Sequence, residues 1–94
     1  MTLYTVKPTK KFQRDLKRVK KRGYDISLLA DIIKKLADGE TLPQKYFDHQ
    51  LSGDLKDCRE CHIQPDWLLM YEKDESTLYL YLMRTGTHND LFGN

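Results

Sequence analysis

A chain of 94 residues is long enough to build one hydrophobic core and too short for two. With 39% hydrophobic and 32% charged residues it holds no run near the ~18 apolar residues of a membrane-spanning helix, and its opening MTLYTVKPTKKF lacks the apolar block of a signal peptide, so no membrane partner and a cytoplasmic location are expected. The net charge of +2 hides a local excess, because between Lys7 and Arg22 nine basic side chains face one acid, Asp15.

In chain order, LYTV (residues 3–6) reads as a short first strand. Thr9 can cap a helix that places Phe12, Leu16 and Val19 on one face and stops at Gly23. Lys10, Lys11, Arg14, Lys17, Arg18, Lys20 and Lys21 must then fill most of its remaining circumference. Such a face is either simply solvated or a binding surface for a polyanion, of which nucleic acid is the commonest in cytoplasm. Asp25 or Ser27 starts a second helix with Leu29, Ile32, Ile33 and Leu36 in a continuous stripe and Gly39 just past its end. From Glu40 to Asp57 the periodicity is lost, and Pro43 and Gly53 mark a long loop.

Three strand candidates follow, CRECHI, WLLMYEK and TLYLYLM, separated by the short turn segments QPD and DES. The order β-α-α-β-β-β predicts an α+β domain spanning residues 1–94. In it a two-helix hairpin packs on one face of a mostly antiparallel four-stranded sheet.

Chemistry has few carriers. The three histidines, His49, His62 and His88, fall in the loop, late in a strand and in the tail, positions from which side chains project off a rigid scaffold. Asp66 sits in a hairpin turn, where its ordinary role is local hydrogen bonding. Cys58 and Cys61 have the spacing of half a zinc site, but no second cysteine pair exists, so no metal is expected there. On a strand the two thiols point to opposite faces. Cys61, beside Ile63, reads as core, as do Trp67, Leu69 and Tyr71.

The stretches YFDHQLSGDLKDCRECHIQPDWLLMYE and MRTGTHNDLFG resemble the YafQ branch of the RelE/ParE toxin superfamily, the toxin halves of bacterial toxin-antitoxin pairs. The resemblance covers nearly the whole chain. It departs in the loop, where Gln50 follows His49 and family members often have proline. It implies a RelE-like fold and an endoribonuclease that cuts messenger RNA, usually on the ribosome, restrained by a cognate antitoxin and needing no cofactor. It also implies functional roles for His49, His62, Asp66, Arg84, His88 and Phe92. The alternatives are a ParE-like toxin that poisons DNA gyrase without a nuclease site, and a degenerate member that only binds antitoxin.

The residue types suit metal-free RNA cleavage on their own terms. That reaction needs a base for the 2′-hydroxyl proton, a cation at the phosphate and an acid for the leaving 5′-oxygen. Imidazole serves either proton-transfer role near neutrality, and the guanidinium of Arg84 matches two phosphate oxygens. His88 is expected as the acid, Asp66 or His62 as the base, His49 as a substrate-orienting or proton-transfer group, and Phe92 as a platform for a base.

Overall fold

A computed structural model describes residues 2–93 of the chain. Its elements run β1 (Thr5–Pro8), α1 (Lys10–Lys21), α2 (Ile26–Ala37), β2 (His49–Gln50), β3 (Arg59–Gln64), β4 (Trp67–Asp74), β5 (Tyr79–Gly86) and α3 (His88–Phe92), with 3₁₀ turns at Gln44–Tyr46 and Gly53–Leu55. The strands form one sheet in the order β1-β5-β4-β3-β2, parallel only between β1 and β5. The α+β class and the helix pair agree with the sequence expectation. The sheet has five strands rather than four, because two loop residues, His49 and Gln50, pair with Glu60 and Arg59 along the edge of β3. A strand that short carries no sequence period.

Capping residues set the helix limits. The Thr9 side chain accepts the Phe12 amide at 3.1 Å, Asp25 accepts the Ser27 amide at 3.0 Å, and Gly23 and Gly39 adopt φ of 82° and 80° just past the two helix ends. Leu3 and Tyr4, expected in the first strand, instead donate their amides to the Ala37 carbonyl at 2.8 Å, satisfying the end of α2. Thr77 and Leu78, expected in the last strand, belong to the turn that Asp74 organises by accepting the Ser76 and Thr77 amides.

The core lies between the helices and one sheet face, where Phe12, Val19, Leu29, Ile32 and Leu36 meet Cys61, Trp67, Leu69, Tyr71, Leu80 and Leu82. Trp67 donates to the Thr85 hydroxyl at 2.9 Å, so the indole N–H is buried with a partner. Burial pushes the Cys61 thiol up to about 12, as suits packing rather than redox or metal chemistry.

Helix α1 also closes an open sheet edge. Strand β1 accompanies β5 only as far as Leu82, and from there α1 runs beside the exposed backbone of β5. Thr9 donates its amide to the Leu82 carbonyl, and Asp15, 2% exposed, accepts the Thr85 amide at 3.2 Å. The lone acid of the basic stretch thus completes the sheet.

Candidate active site

Alternation along β3 sends Cys61 into the core and Glu60 and His62 to the opposite face. A bulge at Met83 shifts β5 by one residue, so Arg84 lies across from Met70 and Gly86 across from Leu68, on that same outer face. The turn Pro65–Asp66 and helix α3 frame one end of this face, and β2 frames its side.

Four of the sequence candidates converge here. The His62 ring centroid lies 6.4 Å from that of His49 and 5.6 Å from that of His88. His88 Nδ1 meets Asp66 Oδ1 at 2.6 Å, and the His88 amide donates to the same oxygen at 3.0 Å. These two hydrogen bonds hold the Asp66 carboxyl below its ordinary value.

Each imidazole has its Nδ1 beside a fixed acceptor: the Phe47 carbonyl for His49 (2.7 Å), the Pro65 carbonyl for His62 (3.3 Å) and Asp66 for His88. A carbonyl or carboxylate can only accept, so each Nδ1 carries a hydrogen and each Nε2 is left for the shared space. The loop that delivers His49 is anchored on both sides. Asp48 accepts from the Tyr71 hydroxyl at 2.6 Å and from Arg59, and the Gln50 amide donates to the Lys56 and Cys58 carbonyls. Gln50 therefore ties the loop to the segment that precedes β3.

The sequence reading missed Glu60. It is 5% exposed, its Oε1 lies 3.6 Å from His49 Nε2, and its Oε2 is buried without a hydrogen-bond partner. Its place two residues before His62, on the same strand face, was a signal available in the sequence. Glu60, His62 and His88 offer ligand atoms within 4.8 Å of one another. Two imidazoles and a carboxylate are a donor set suited to Zn²⁺ or Cu²⁺, so the metal-capable group lies here rather than at the cysteines.

Arg84 and Phe92 make no hydrogen bond to the imidazoles. Arg84 turns toward α1 and binds Asp15 through Nε at 2.6 Å and Nη2 at 3.2 Å, leaving Nη1 without a hydrogen-bond partner among the described residues. With Lys11, Arg14 and Arg18 it lines a small depression of about 220 Å³. Phe92 is 42% exposed on α3. Of the basic residues on α1, Arg18 is committed to Asp15 and Asp90, whereas Lys10, Lys11, Arg14, Lys17, Lys20 and Lys21 form no ion pair among the described residues.

Helix α3 is only five residues long and is held from outside. Arg22 clamps Asp90 at 2.6 and 3.0 Å, Thr87 and Asp90 form a reciprocal capping box, and Arg22 holds the Asp90 carboxyl well below the carboxylate range. Gly86 has φ of 150°, and a Cβ there would stand 2.7 Å from Asp90 Oδ2. Gly86→Ala should therefore speed amide exchange across residues 88–92 by about tenfold, from ~1–2 kcal/mol of strain, with the sheet unaffected. Unchanged exchange in α3 would show that the contact yields freely.

A helix pair on one face of a largely antiparallel sheet, with an imidazole cluster on the other, defines a small toxin domain of the RelE/ParE superfamily. Residues 4–93 match the family described as bacterial toxin of type II toxin-antitoxin system, YafQ. The chain is 37% identical over 83 residues to the mRNA interferase toxin YafQ of Escherichia coli K12, spanning 87% of this chain and 88% of that protein. It superposes with a TM-score of 0.89 on the toxin in the crystal structure of the E. coli DinJ-YafQ toxin-antitoxin complex, at 34% identity and covering 97% and 99% of the two chains. The metal-bound toxin from Helicobacter pylori gives the same TM-score at 44% identity, covering 98% and 100%. The chain belongs to the YafQ family of type II toxins.

Proposed function

We propose that this protein is an endoribonuclease that cleaves messenger RNA in the cytoplasm, on the ribosome, and is silenced by a cognate antitoxin. The observation that carries the proposal is the trio of imidazoles gathered on one sheet face, each with Nδ1 committed to a fixed acceptor. The E. coli relative is an mRNA interferase by name, and the solved structure of that toxin described above is of its complex with the antitoxin DinJ.

In this mechanism a base removes the RNA 2′-hydroxyl proton, the 2′-oxygen attacks phosphorus, and an acid protonates the departing 5′-oxygen. The products are a 2′,3′-cyclic phosphate and a 5′-hydroxyl. His88 is the acid: Asp66 pins its Nδ1–H, which aims Nε2 at the leaving group. His62 is the better base of the two candidates, since Asp66 already accepts two hydrogen bonds from His88 and is held ionised as a weaker base. His49 orients substrate, and Glu60 supplies a negative charge beside it. Arg84 meets the phosphate through Nη1 while Asp15 fixes its plane. Phe92 stacks on a base.

The purified protein should cleave RNA at catalytic concentrations and leave cyclic-phosphate ends. Cleavage absent both with and without ribosomes would sink the proposal. The free lysines of α1 contact the RNA backbone rather than its bases. Replacing Lys17, Lys20 and Lys21 by Gln should weaken binding and lessen the slope of log affinity against log salt by about 0.7 for each lost phosphate contact. An unchanged slope would mean that these lysines form only a solvated face.

A further inference from the structure

We propose that Phe47 forms the wall of a nucleobase subsite beside the imidazole cluster, taking a base next to the scissile phosphate; the identity of that phosphate rests on the nuclease mechanism above. Phe47 is the most exposed large hydrophobic residue described, at 65%, and its ring centroid lies 5.7 Å from that of His62 in an edge-on arrangement. Its backbone is left-handed, with φ of 49° and ψ of 43°, a conformation that glycine or asparagine adopts with less strain.

The backbone at this position has a clear task. The Phe47 amide donates to the Gln44 carbonyl at 3.0 Å, and its own carbonyl accepts from His49 Nδ1. A glycine would do both. The ring, strained and solvent-facing, contributes nothing to the core and requires another explanation.

The ring stands as a ridge between two clefts of about 500 and 790 Å³. The larger falls in the range of small-ligand sites and is lined by Leu28, Tyr46, Ile63 and Pro65, with His49 and His62 completing its wall. No carboxylate lines it, and Lys45 stands at its side with Nζ 5.1 Å from the centre of the Tyr46 ring. Apolar and aromatic walls, one cation and the Gln64 amide, which both donates and accepts, suit a planar base attached to an anionic backbone. They suit a basic peptide less well.

The test uses the full-length protein and a non-cleavable RNA carrying a 2′-deoxy nucleotide at the cleavage position. Fluorescence anisotropy compares this RNA with versions that are abasic at either flanking nucleotide. Phe47→Gly should raise the melting temperature, by relieving the left-handed strain, while weakening binding by about 5- to 100-fold. Phe47→Tyr should retain binding. The decisive result is coupling: removing one flanking base weakens binding to the wild type but not to Phe47→Gly. Equal affinities of wild type and Phe47→Gly, or an abasic penalty that persists in the variant, would overturn the subsite. The experiment needs no cleavage. A wild type that shows the coupling yet cuts no RNA keeps the subsite and discards the nuclease mechanism.

Discussion

His88→Gln lowers the RNA cleavage rate by about 10²- to 10⁴-fold, the usual span for a lost proton-transfer group, while melting temperature and RNA affinity stay near those of the wild type. The substitution is structurally mild because His88 is half exposed and begins the short helix α3, whose capping box is built by Thr87 and Asp90. Its backbone hydrogen bond to Asp66 survives. What disappears is an Nε2 able to release a proton. Asp66→Asn separates charge from geometry, since the amide oxygen can still accept from the His88 ring and backbone but carries no charge. It should reduce the rate less than His88→Gln, because the His88 ring keeps its aim and loses only the neighbouring charge. At the acid end the sign follows from Asp66, whose value is lowered by His88. The pair is intact above the ordinary aspartate value of about 3.9 and is lost as pH falls through the lower folded value. A folded His88→Gln protein with full activity would return RTGTH to a purely structural strand end.

Arg84→Ala should lower stability by about 2–4 kcal/mol, a drop in melting temperature of about 10 °C or more for a domain of this size. The sequence alone assigns Arg84 to phosphate. Its guanidinium is also the main countercharge of Asp15, a carboxylate 2% exposed, and the fork is made through Nε and Nη2. Removing it leaves Asp15 with the Thr85 amide and the single contact from Arg18 at 3.1 Å. Arg84→Lys keeps the charge but not the fork and should recover only part of the loss. Asp15→Ala combined with Arg84→Ala should be milder than the sum of the single changes, by about 1–3 kcal/mol, because the double variant strands no buried charge. Strict additivity would show that the two side chains do not depend on each other. Activity must be compared far below the melting temperature of each variant, where a rate loss in Arg84→Ala then reports on the phosphate.

The helices were legible in the sequence because their signals are local. Thr9, Asp25, Gly23 and Gly39 mark their ends, and the apolar stripes need only neighbours three and four residues away. The histidine cluster was legible only through the resemblance, since residues 49, 62 and 88 carry no period that announces proximity. Glu60 and Phe47 escaped for a different reason. Each looks ordinary in sequence, and its meaning lies in burial without a partner or in exposure on a strained backbone. Asp15 was visible as a lone acid among cations, but its service to Arg84 and the Thr85 amide depends on α1 lying beside an unpaired strand edge, a long-range fact. The two-residue β2 was too short to leave any pattern.

The bulge at Met83 has a consequence for how this tail can vary. Leu80, Leu82 and Thr85 are all buried, an odd step that simple alternation forbids, and Met83 is the residue that absorbs it. It works as a phase shifter: everything before it keeps one parity, and everything after it keeps the other. Deleting Met83 would remove the bulge and leave plain alternation, with Arg84 still across from Met70 on the outer face and Thr85 still toward the core, and only the local bend and extra twist of the strand lost. Substitution or even deletion at this position is therefore a local matter of packing and strand bend, and every functional group that follows keeps its side of the sheet.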